Sequence, residues 1–315
     1  MKKTDILIVG TGAVGSYFGG KLFQEETRVS AFCRSDYDVI KEKGIIVRSY
    51  KGDFVVEPFE VVNDIKNLSM KPDYIIVCLK VLPEINLPDI IRPAVGEDTT
   101  IVLIQNGIAI ENEVASAFPE NEIISGIAFI AISRIELGVA RHTGSGKIVL
   151  GSYPNGISEK CKKLADLFKK AEVPCSSSSE ITRERWKKMV WNASFNPISV
   201  LGGNADSKQM VEVPESEELV RNVMNEVLAV AKSDGYELKN DIIEDAISGN
   251  RKMRPFKTSM LVDFEQNRTM EIDAILGNTI TIARNNGVPT PYLQSLYCLL
   301  KLQITTSIRP TIEES

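Results

Sequence analysis

Three polar residues that could act on a ligand lie at helical spacing in the second half of the chain. Lys188, Asn192 and Asn196 are each four residues apart, so a helix would carry them on one side. An ammonium group can donate a proton or stabilise developing negative charge, and the adjacent amides can bind polar groups. A solvated helix face is the alternative, because Pro197 is expected to kink or end the helix. Lys187 could supply the charge instead, although the spacing to Asn192 favours Lys188.

Two further residues suit the same kind of ligand. Glu271 precedes the apolar stripe of a later helix, and Ser259 lies upstream of it. Together with a lysine and two asparagines, a glutamate and a serine could form a pocket for a small anionic, hydroxylated carbonyl compound. Alternatively, Glu271 is a favourable charge in the first turn of a helix, and Ser259 is an N-cap or part of a local turn.

The most specific single motif is a glycine-rich turn after the first predicted strand. It reads Gly10-Thr11-Gly12-Ala13-Val14-Gly15, between the apolar run Asp5–Val9 and a helix that extends to about Gln24. In such a turn the first glycine permits a tight bend, the second lets the backbone approach a diphosphate, and the third lets helix and strand pack closely. Free N–H groups at the helix start favour the anion. The motif therefore predicts dinucleotide binding, against the alternative of a glycine-rich loop with no ligand.

The end of the second predicted strand, Val29–Cys33, indicates which dinucleotide is bound. NAD enzymes usually place an acid there to bind the ribose 2′-hydroxyl, whereas an arginine accommodates a 2′-phosphate. This chain has Arg34 followed by Ser35, and a guanidinium forms forked, charge-assisted bonds to phosphate. NADP(H) is therefore predicted. The alternatives are that Arg34 only solvates a strand end, or that the nearby Asp36 binds the ribose.

Two more strands end in polar residues. Lys80 follows Asp73–Leu79, and Asn106 with Gly107 follows Thr100–Gln105. The carboxyl ends of parallel strands form the ligand crevice of a doubly wound sheet. Lys80 could attract an anionic substrate, and Asn106 could hydrogen-bond the nicotinamide ribose or the substrate. An ordinary lysine at a strand end and an ordinary Asn-Gly turn are equally good explanations.

The elements that must position these residues differ between the two halves of the chain. The other predicted elements of the first half are the strands Ile45–Tyr50, Phe54–Val62, Glu122–Ile135, Ala140–His142, Lys147–Leu150 and one near Pro174, and a helix from about Ser158 to Ala171. After the serine run 176–179, apolar residues recur with a helical period, over 219–231 and 272–283. We predict an α/β fold: a Rossmann-type doubly wound sheet over 1–177, then an all-helical substrate and catalytic domain over 178–315.

Composition excludes several classes of function. The 315 residues are 43% hydrophobic and 25% charged, with a net charge of −5 and interspersed signs, which argues against nucleic-acid and membrane-surface partners. A single histidine, His142, argues against a histidine-rich metal site. The five scattered cysteines indicate reduced thiols, and no signal-peptide pattern is evident, so a cytoplasmic protein is expected. The cysteines are Cys33, Cys78, Cys161, Cys175 and Cys298.

The chain resembles the ketopantoate reductase family over nearly its whole length. The matching stretches are Gly10–Gly15, Leu79-Lys80, Gln105-Asn106-Gly107, His142–Ile148, Trp186–Pro197, Ser259–Phe264 and Glu271-Ile272-Asp273. Several separated motifs in the same order are more specific than one glycine turn. The resemblance implies a second domain similar to the C-terminal part of 6-phosphogluconate dehydrogenase. It also implies NADPH-dependent reduction of 2-dehydropantoate (ketopantoate) to pantoate, in pantothenate and coenzyme A biosynthesis.

The resemblance implies a role for each matching residue. Lys188 matches the lysine that donates a proton to the ketone oxygen, and Glu271 matches the acid that assists the reaction. The implied substrate contacts are Lys80, Asn106, Asn192, Asn196 and Ser259. The implied cofactor contacts are Gly10, Thr11, Gly12, Ala13, Val14, Gly15, Arg34, Lys80 and Asn106.

Two other functions compete with this hypothesis. One is a paralogous reductase of a different 2-keto acid. The other is a non-catalytic NADP-binding sensor, which would need neither the proton donor Lys188 nor Glu271. The apolar helices of the second half also make a homodimer plausible.

Overall fold

The aliphatic runs of the first half form buried strands, and the second half is helical. A computed structural model of the chain describes residues 3–239 and 241–307. It divides into two compact units: the first contains residues 1–105 and 110–184, and the second contains residues 106–109 and 185–315. The four residues 106–109 therefore belong to the second unit, although the sequence on both sides belongs to the first.

The first unit contains the strands and most of the shorter helices. Its elements are β1 (Thr4–Val9), α1 (Ala13–Lys21), β2 (Thr27–Phe32), α2 (Tyr37–Lys43), β3 (Ile45–Ser49), β4 (Phe54–Val56), β5 (Val61–Val62), β6 (Tyr74–Val77), α3 (Leu87–Ile91), β7 (Thr100–Leu103), α4 (Glu111–Ala117), β8 (Ile123–Glu136), β9 (Val139–Ser152), α5 (Glu159–Lys170) and β10 (Cys175–Ser177), with 3-10 turns at Ile65–Asn67 and Arg92–Ala94.

The strand order matches the predicted doubly wound sheet. Strands β5-β2-β1-β6-β7-β8 pair in parallel, and the order reverses between β1 and β6. This is the order in which ligands bind at the reversal point, beyond the carboxyl ends of the strands. Beyond β8 the sheet continues through antiparallel β9, parallel β3 and antiparallel β4, while β10 pairs with β9.

Two predicted strand boundaries were wrong. The predicted strand Phe54–Val62 is two strands, β4 and β5, at opposite ends of the sheet path. Pro58 lies between them, and proline cannot donate to a sheet ladder. Conversely, Ala140–His142 and Lys147–Leu150 are parts of one strand, β9. Its pairing with β8 shifts register near Gly146, whose φ is +102°, so the glycine produces a bulge rather than an end.

The second unit is built from helices around its own core. Its elements are α6 (Ile181–Leu201, which begins in the first unit), α7 (Gln209–Glu212), α8 (Pro214–Ser233), α9 (Asp241–Lys252), α10 (Ser259–Glu265), a π-helical turn (Asp273–Gly277), α11 (Asn278–Asn285) and α12 (Pro291–Ser307). The predicted stripe on α8 is buried at Val220, Val223, Met224 and Val227. Ile108, from the loop 106–109, is also part of this core and is 1% exposed. Within the described ranges, no helix combines the length and the apolar character that crossing a membrane requires.

The helix α6 does not end at Pro197, which was one of the two outcomes expected from the sequence. It continues to Leu201 with the proline inside. Proline removes one backbone donor, but residues 198–200 are buried and pack in the core of the unit. The Ser199 hydroxyl donates to the Asn196 carbonyl at 2.7 Å and also contacts the Thr258 hydroxyl at 2.7 Å. Packing and these side-chain bonds therefore hold the helix beyond the proline.

Candidate active site

The glycine turn of the first unit lies at the point where the strand order reverses. Gly10 has φ of +94°, and a Cβ there would lie 2.7 Å from Leu79 Cδ2, which brings the turn against the residues that follow β6. A Cβ at Gly15 would lie 1.9 Å from the Gly10 carbonyl oxygen. By contrast, a Cβ at Gly12, the N-cap of α1, would meet nothing within 4 Å. Gly12 thus borders open space beside a helix N-terminus, an arrangement that fits a diphosphate.

Of the two charged residues after β2, Arg34 is available to a ligand and Asp36 is not. Arg34 is exposed, and its side chain makes no hydrogen bond or ion pair with any residue that the structure describes. Asp36 is 2% exposed. Its carboxylate accepts hydrogen bonds from the Ser35 hydroxyl (2.6 Å), an Arg134 guanidinium nitrogen (2.8 Å) and the Gly138 N–H (3.1 Å). Both oxygens of Asp36 are therefore occupied within the fold, which leaves Arg34 as the group available to a ligand.

The strand-end lysine of the first unit is half-buried. Lys80 follows β6 directly after Leu79. The side-chain amide of Gln105, at the end of the β7 segment, donates to the Leu79 carbonyl at 2.8 Å. The ends of these two neighbouring strands are thus bonded to each other next to the glycine turn.

In the second unit, three of the sequence-predicted residues form one hydrogen-bonded chain. The Lys188 ammonium donates to Asn106 Oδ1 at 2.7 Å, and Asn106 Nδ2 donates to Glu271 Oε2 at 3.1 Å. All three side chains are half-buried, whereas Lys187 is exposed. The amide of Asn106 is thereby fixed in one orientation, with its oxygen towards the cation and its nitrogen towards the carboxylate.

The surroundings of Lys188 make its ammonium unusually acidic. Burial and the positive charge of Arg185 both lower its pKa, and the negative charge of Glu271 raises it, so that the net pKa is about 8 instead of 10.5. A cation that loses its proton near neutral pH is better suited to proton transfer than an ordinary lysine. The second unit thus contains a positioned ammonium group whose pKa lies close to neutral pH.

The loop 106–109 is held in place by its backbone. The Ile108 N–H donates to the Ala274 carbonyl at 3.1 Å, and Asn278 Nδ2 donates to the Ile108 carbonyl at 2.8 Å. The buried Arg185 donates to the Gly107 carbonyl at 3.1 Å. Gly107 has φ of +109° and Ala109 has φ of +57°, so the loop turns sharply. These bonds fix Asn106 between its two partners.

The remaining predicted substrate residues differ in exposure. Asn192 is 6% exposed and Asn196 is 1% exposed. Neither amide atom of Asn196 has a hydrogen-bond partner in the described part of the chain, and an unmatched buried amide costs about 1–3 kcal/mol. Ser259 is exposed at the first position of α10. It does not cap that helix, because the cap is Thr258, whose hydroxyl accepts from the Leu261 N–H at 3.1 Å.

Sequence reasoning missed the residues that support the site. Arg185, Asn278 and the π-helical turn were not singled out. The sequence signal for Arg185 is only its position directly before Trp186, a large apolar residue of the kind found in cores. The π-helical turn left no such signal, because its apolar residues keep the spacing of an ordinary helix.

Comparison with known proteins identifies the family of the chain. Two family models match the chain: Ketopantoate reductase PanE/ApbA over residues 6–155, and Ketopantoate reductase PanE/ApbA C terminal over residues 180–303. A 2-dehydropantoate 2-reductase from Nostoc sp. is 32% identical over 306 residues, which cover 96% of this chain and 95% of that protein.

Solved structures are similar over the same length. The crystal structure of 2-dehydropantoate 2-reductase from Methylococcus capsulatus has a TM-score of 0.92 and 44% identity, and covers 98% of this chain and 99% of that one. A dimeric ketopantoate reductase from Staphylococcus aureus has a TM-score of 0.75 at 20% identity, with 96% and 99% covered, and is similar in fold. On these matches, the chain belongs to the ketopantoate reductase family of oxidoreductases.

Proposed function

We propose that this protein reduces 2-dehydropantoate to pantoate with NADPH, as a step in the biosynthesis of pantothenate and coenzyme A. The observation that carries the proposal is the hydrogen-bonded series Lys188–Asn106–Glu271, in which the pKa of the lysine is lowered to about 8, mainly by burial. Ketone reduction needs one proton at the ketone oxygen, and the Lys188 ammonium can supply it.

The chemistry asked of the protein is proton transfer and charge stabilisation. When bound, NADPH supplies a hydride to the carbonyl carbon. The Lys188 ammonium donates its proton to the ketone oxygen, so that the product is a neutral alcohol and Lys188 is left as a neutral amine. With a pKa of about 8, about nine-tenths of Lys188 carries the proton at pH 7. Asn106 keeps the ammonium oriented, and Glu271 favours its return to the charged form.

The asparagines of α6 are proposed to bind the substrate. The unmatched amide of Asn196 can accept and donate hydrogen bonds to a hydroxyl or carboxylate, which would remove the cost of leaving it unpaired. Asn192, one turn closer to Lys188, is assigned the same task. Ser259 is assigned to the substrate carboxylate. Lys80 and Asn106 are assigned to both the substrate and the cofactor.

We assign NADP(H) rather than NAD(H) from the residues after β2. A 2′-phosphate matches the available guanidinium of Arg34. A ribose 2′-hydroxyl would need a carboxylate, and the one nearby, Asp36, already accepts three hydrogen bonds within the fold. The backbone of the turn from Gly10 to Gly15 is assigned to the diphosphate.

The direct test is oxidation of NADPH, followed by its absorbance, with 2-dehydropantoate and with a panel of other 2-keto acids. Turnover of 2-dehydropantoate with the highest kcat/KM is expected. A Lys188→Ala variant should lose about 100-fold or more in kcat while it still binds NADPH, and Lys187→Ala is the matched control. If no 2-keto acid is reduced, the protein is not this enzyme and the sensor hypothesis replaces it.

An aromatic surface favours a second candidate, the reductase of a bulkier 2-keto acid. Trp191 is half-buried and follows Lys188 by three residues on α6. Its ring stacks with Phe195 (centroids 4.8 Å apart, planes at 11°) and with Phe256 (5.8 Å, 13°). Such a surface can hold a large apolar substituent. A Trp191→Leu variant that loses activity only with phenylpyruvate, while the wild type prefers that acid to 2-dehydropantoate, would support this candidate.

We also propose a cytoplasmic homodimer. The five cysteines are all free thiols, as expected in a reducing compartment. On α12, the side chains of Tyr292, Leu299 and Leu302 are exposed, and together with Ser295 they form an uncharged stripe at coiled-coil spacing. Sedimentation of the wild type as a dimer, and of Leu299→Glu as a monomer, would support this assembly. A monomeric wild type would refute it.

A further inference from the structure

A second charged cluster in the helical unit lies beside the proposed active site without taking part in it. The carboxylate of Asp273 accepts a hydrogen bond from the Tyr297 hydroxyl at Oδ1 (2.7 Å) and from the Lys301 ammonium at Oδ2 (2.7 Å). Both donors are on α12, four residues apart. Asp273 is the first residue of the π-helical turn and follows Glu271 by two residues. The cluster therefore ties the start of that turn to a long helix.

The same turn is hydrogen-bonded to the loop 106–109, which contains Asn106. Ala274, next to Asp273, accepts the Ile108 N–H through its carbonyl (3.1 Å), and Asn278, just after the turn, donates to the Ile108 carbonyl (2.8 Å). Two of the three residues in the proton-donor chain thus depend on this turn for their position. Glu271 precedes the turn by two residues and accepts the Ile275 N–H through its carbonyl (3.2 Å), and Asn106 belongs to the loop that the turn holds.

The shape of the turn needs an anchor. A π-helical turn contains one more residue than an α-helical turn and is rarely stable alone; such turns are often found at functional sites. Space is also limited, because a Cβ at Gly277 would lie 3.3 Å from Asp273 Oδ1. Burial and the bond to Asp273 both raise the pKa of Tyr297. Burial lowers the pKa of Lys301, but the bond and the charge of Asp273 raise it by more, so that the net pKa is above its usual value. Tyr297 therefore remains neutral and Lys301 charged at working pH, so both bonds persist.

We propose that Asp273, held by Tyr297 and Lys301, is a positioning residue for the reaction, because it fixes the π-helical turn that places Glu271 and Asn106 around the Lys188 ammonium. The expected effect on kcat rests on the proposed function, whereas the expected effect on the positions of Glu271 and Asn106 does not. Asp273 itself touches none of the reacting groups in this role. It acts through the turn, and Tyr297 and Lys301 act through Asp273.

The kinetic test compares Asp273→Asn, Tyr297→Phe and Lys301→Met with the wild type. Misplacement of catalytic groups by about 1 Å can cost about 100-fold, so kcat should fall about 10- to 100-fold in Asp273→Asn and less in the other two. The KM for NADPH should change much less than kcat, because Asn106 is the one proposed cofactor contact that depends on this turn. Glu217→Gln is the matched control, because Glu217 also binds two side chains, Arg221 and Arg251, in the same unit. Equal kcat in Asp273→Asn and the wild type, or an equal fall in Glu217→Gln, would overturn the proposal.

A readout without turnover separates this proposal from the proposed function. The rate at which acetic anhydride labels Lys188, measured by peptide mass spectrometry as pH is varied, reports the pKa of that amine. In the wild type the midpoint should lie near pH 8. In Asp273→Asn it should fall, because Glu271, whose charge raises the pKa of Lys188, is no longer held close. If the wild type reduces no 2-keto acid, the proposed function fails and this shift still decides the positioning role. An unchanged midpoint in folded Asp273→Asn or Lys301→Met protein would overturn it.

Discussion

The charge of Glu271 should set the upper pH limit of the reaction, and Glu271→Gln tests this. The substitution keeps an oxygen that can accept from Asn106 but removes the negative charge. Two hydrogen bonds of 2.7 and 3.1 Å, with one amide between them, place the Lys188 and Glu271 charges on the order of 7 Å apart. Coulomb's law then gives about 0.6 kcal/mol with the dielectric constant of water and about 2.4 kcal/mol with an effective value near 20. The pKa of Lys188 should therefore fall by about 0.4 to 1.7.

The assay is the pH dependence of kcat/KM for reduction, which reports groups of the free enzyme. Activity requires protonated Lys188, so the wild-type rate should fall as pH rises through about 8. In Glu271→Gln the same fall should begin at lower pH, whatever the loss in absolute rate. Glu265→Gln removes a carboxylate bonded to Lys257 in the same unit. It should leave the pH at which kcat/KM falls unchanged. If kcat/KM of Glu271→Gln falls at the same pH as in the wild type, or at a higher pH, the reasoning is refuted.

Three further predictions concern cofactor and substrate. Arg34→Ala should raise the KM for NADPH about 10- to 100-fold and leave that for NADH nearly unchanged, as initial rates with both cofactors will show; equal effects on both would contradict the assignment. Gly15→Ala should reduce the yield of folded protein, because its Cβ would lie 1.9 Å from a carbonyl oxygen, whereas Gly12→Ala should fold normally and lose NADPH affinity, as thermal melts with and without NADPH can measure. Asn196→Leu should keep or raise Tm and increase substrate KM about 10-fold or more; a lower Tm with unchanged KM would contradict it.

The parts of the fold that sequence predicts well are those fixed by local pattern. The buried strands of the sheet are short aliphatic runs, and the turn at Gly10 has both its glycine spacing and its flanking elements in one stretch of chain. The alignment of Lys188 with its asparagines follows from helix geometry alone. In each case the physical cause acts within about 15 residues, so one sequence is sufficient to see it.

What sequence could not predict depends on contacts between distant segments. The continuation of α6 past Pro197 rests on core packing and on the bond between Ser199 and Thr258. The bond from Lys188 to Asn106 joins residues 82 positions apart, and no local pattern indicates it. The π-helical turn is hidden because one extra residue in a turn leaves the apolar positions at spacings that an α-helix also allows.

The short loop 106–109 has a consequence for how this protein can change over evolution. The helical unit includes four residues from the middle of the first unit's sequence, among them Asn106, whose amide bonds to Lys188 and Glu271, and the buried Ile108. A gene segment that encodes only residues 185–315 would lack both. The helical unit therefore cannot be exchanged between proteins as one contiguous segment, and recombination near residue 180 would join a foreign loop to the native helices. Relatives that arise by such shuffling should carry matched changes at 106–109 and 271–278, whereas point mutation of the substrate residues on α6 carries no such constraint.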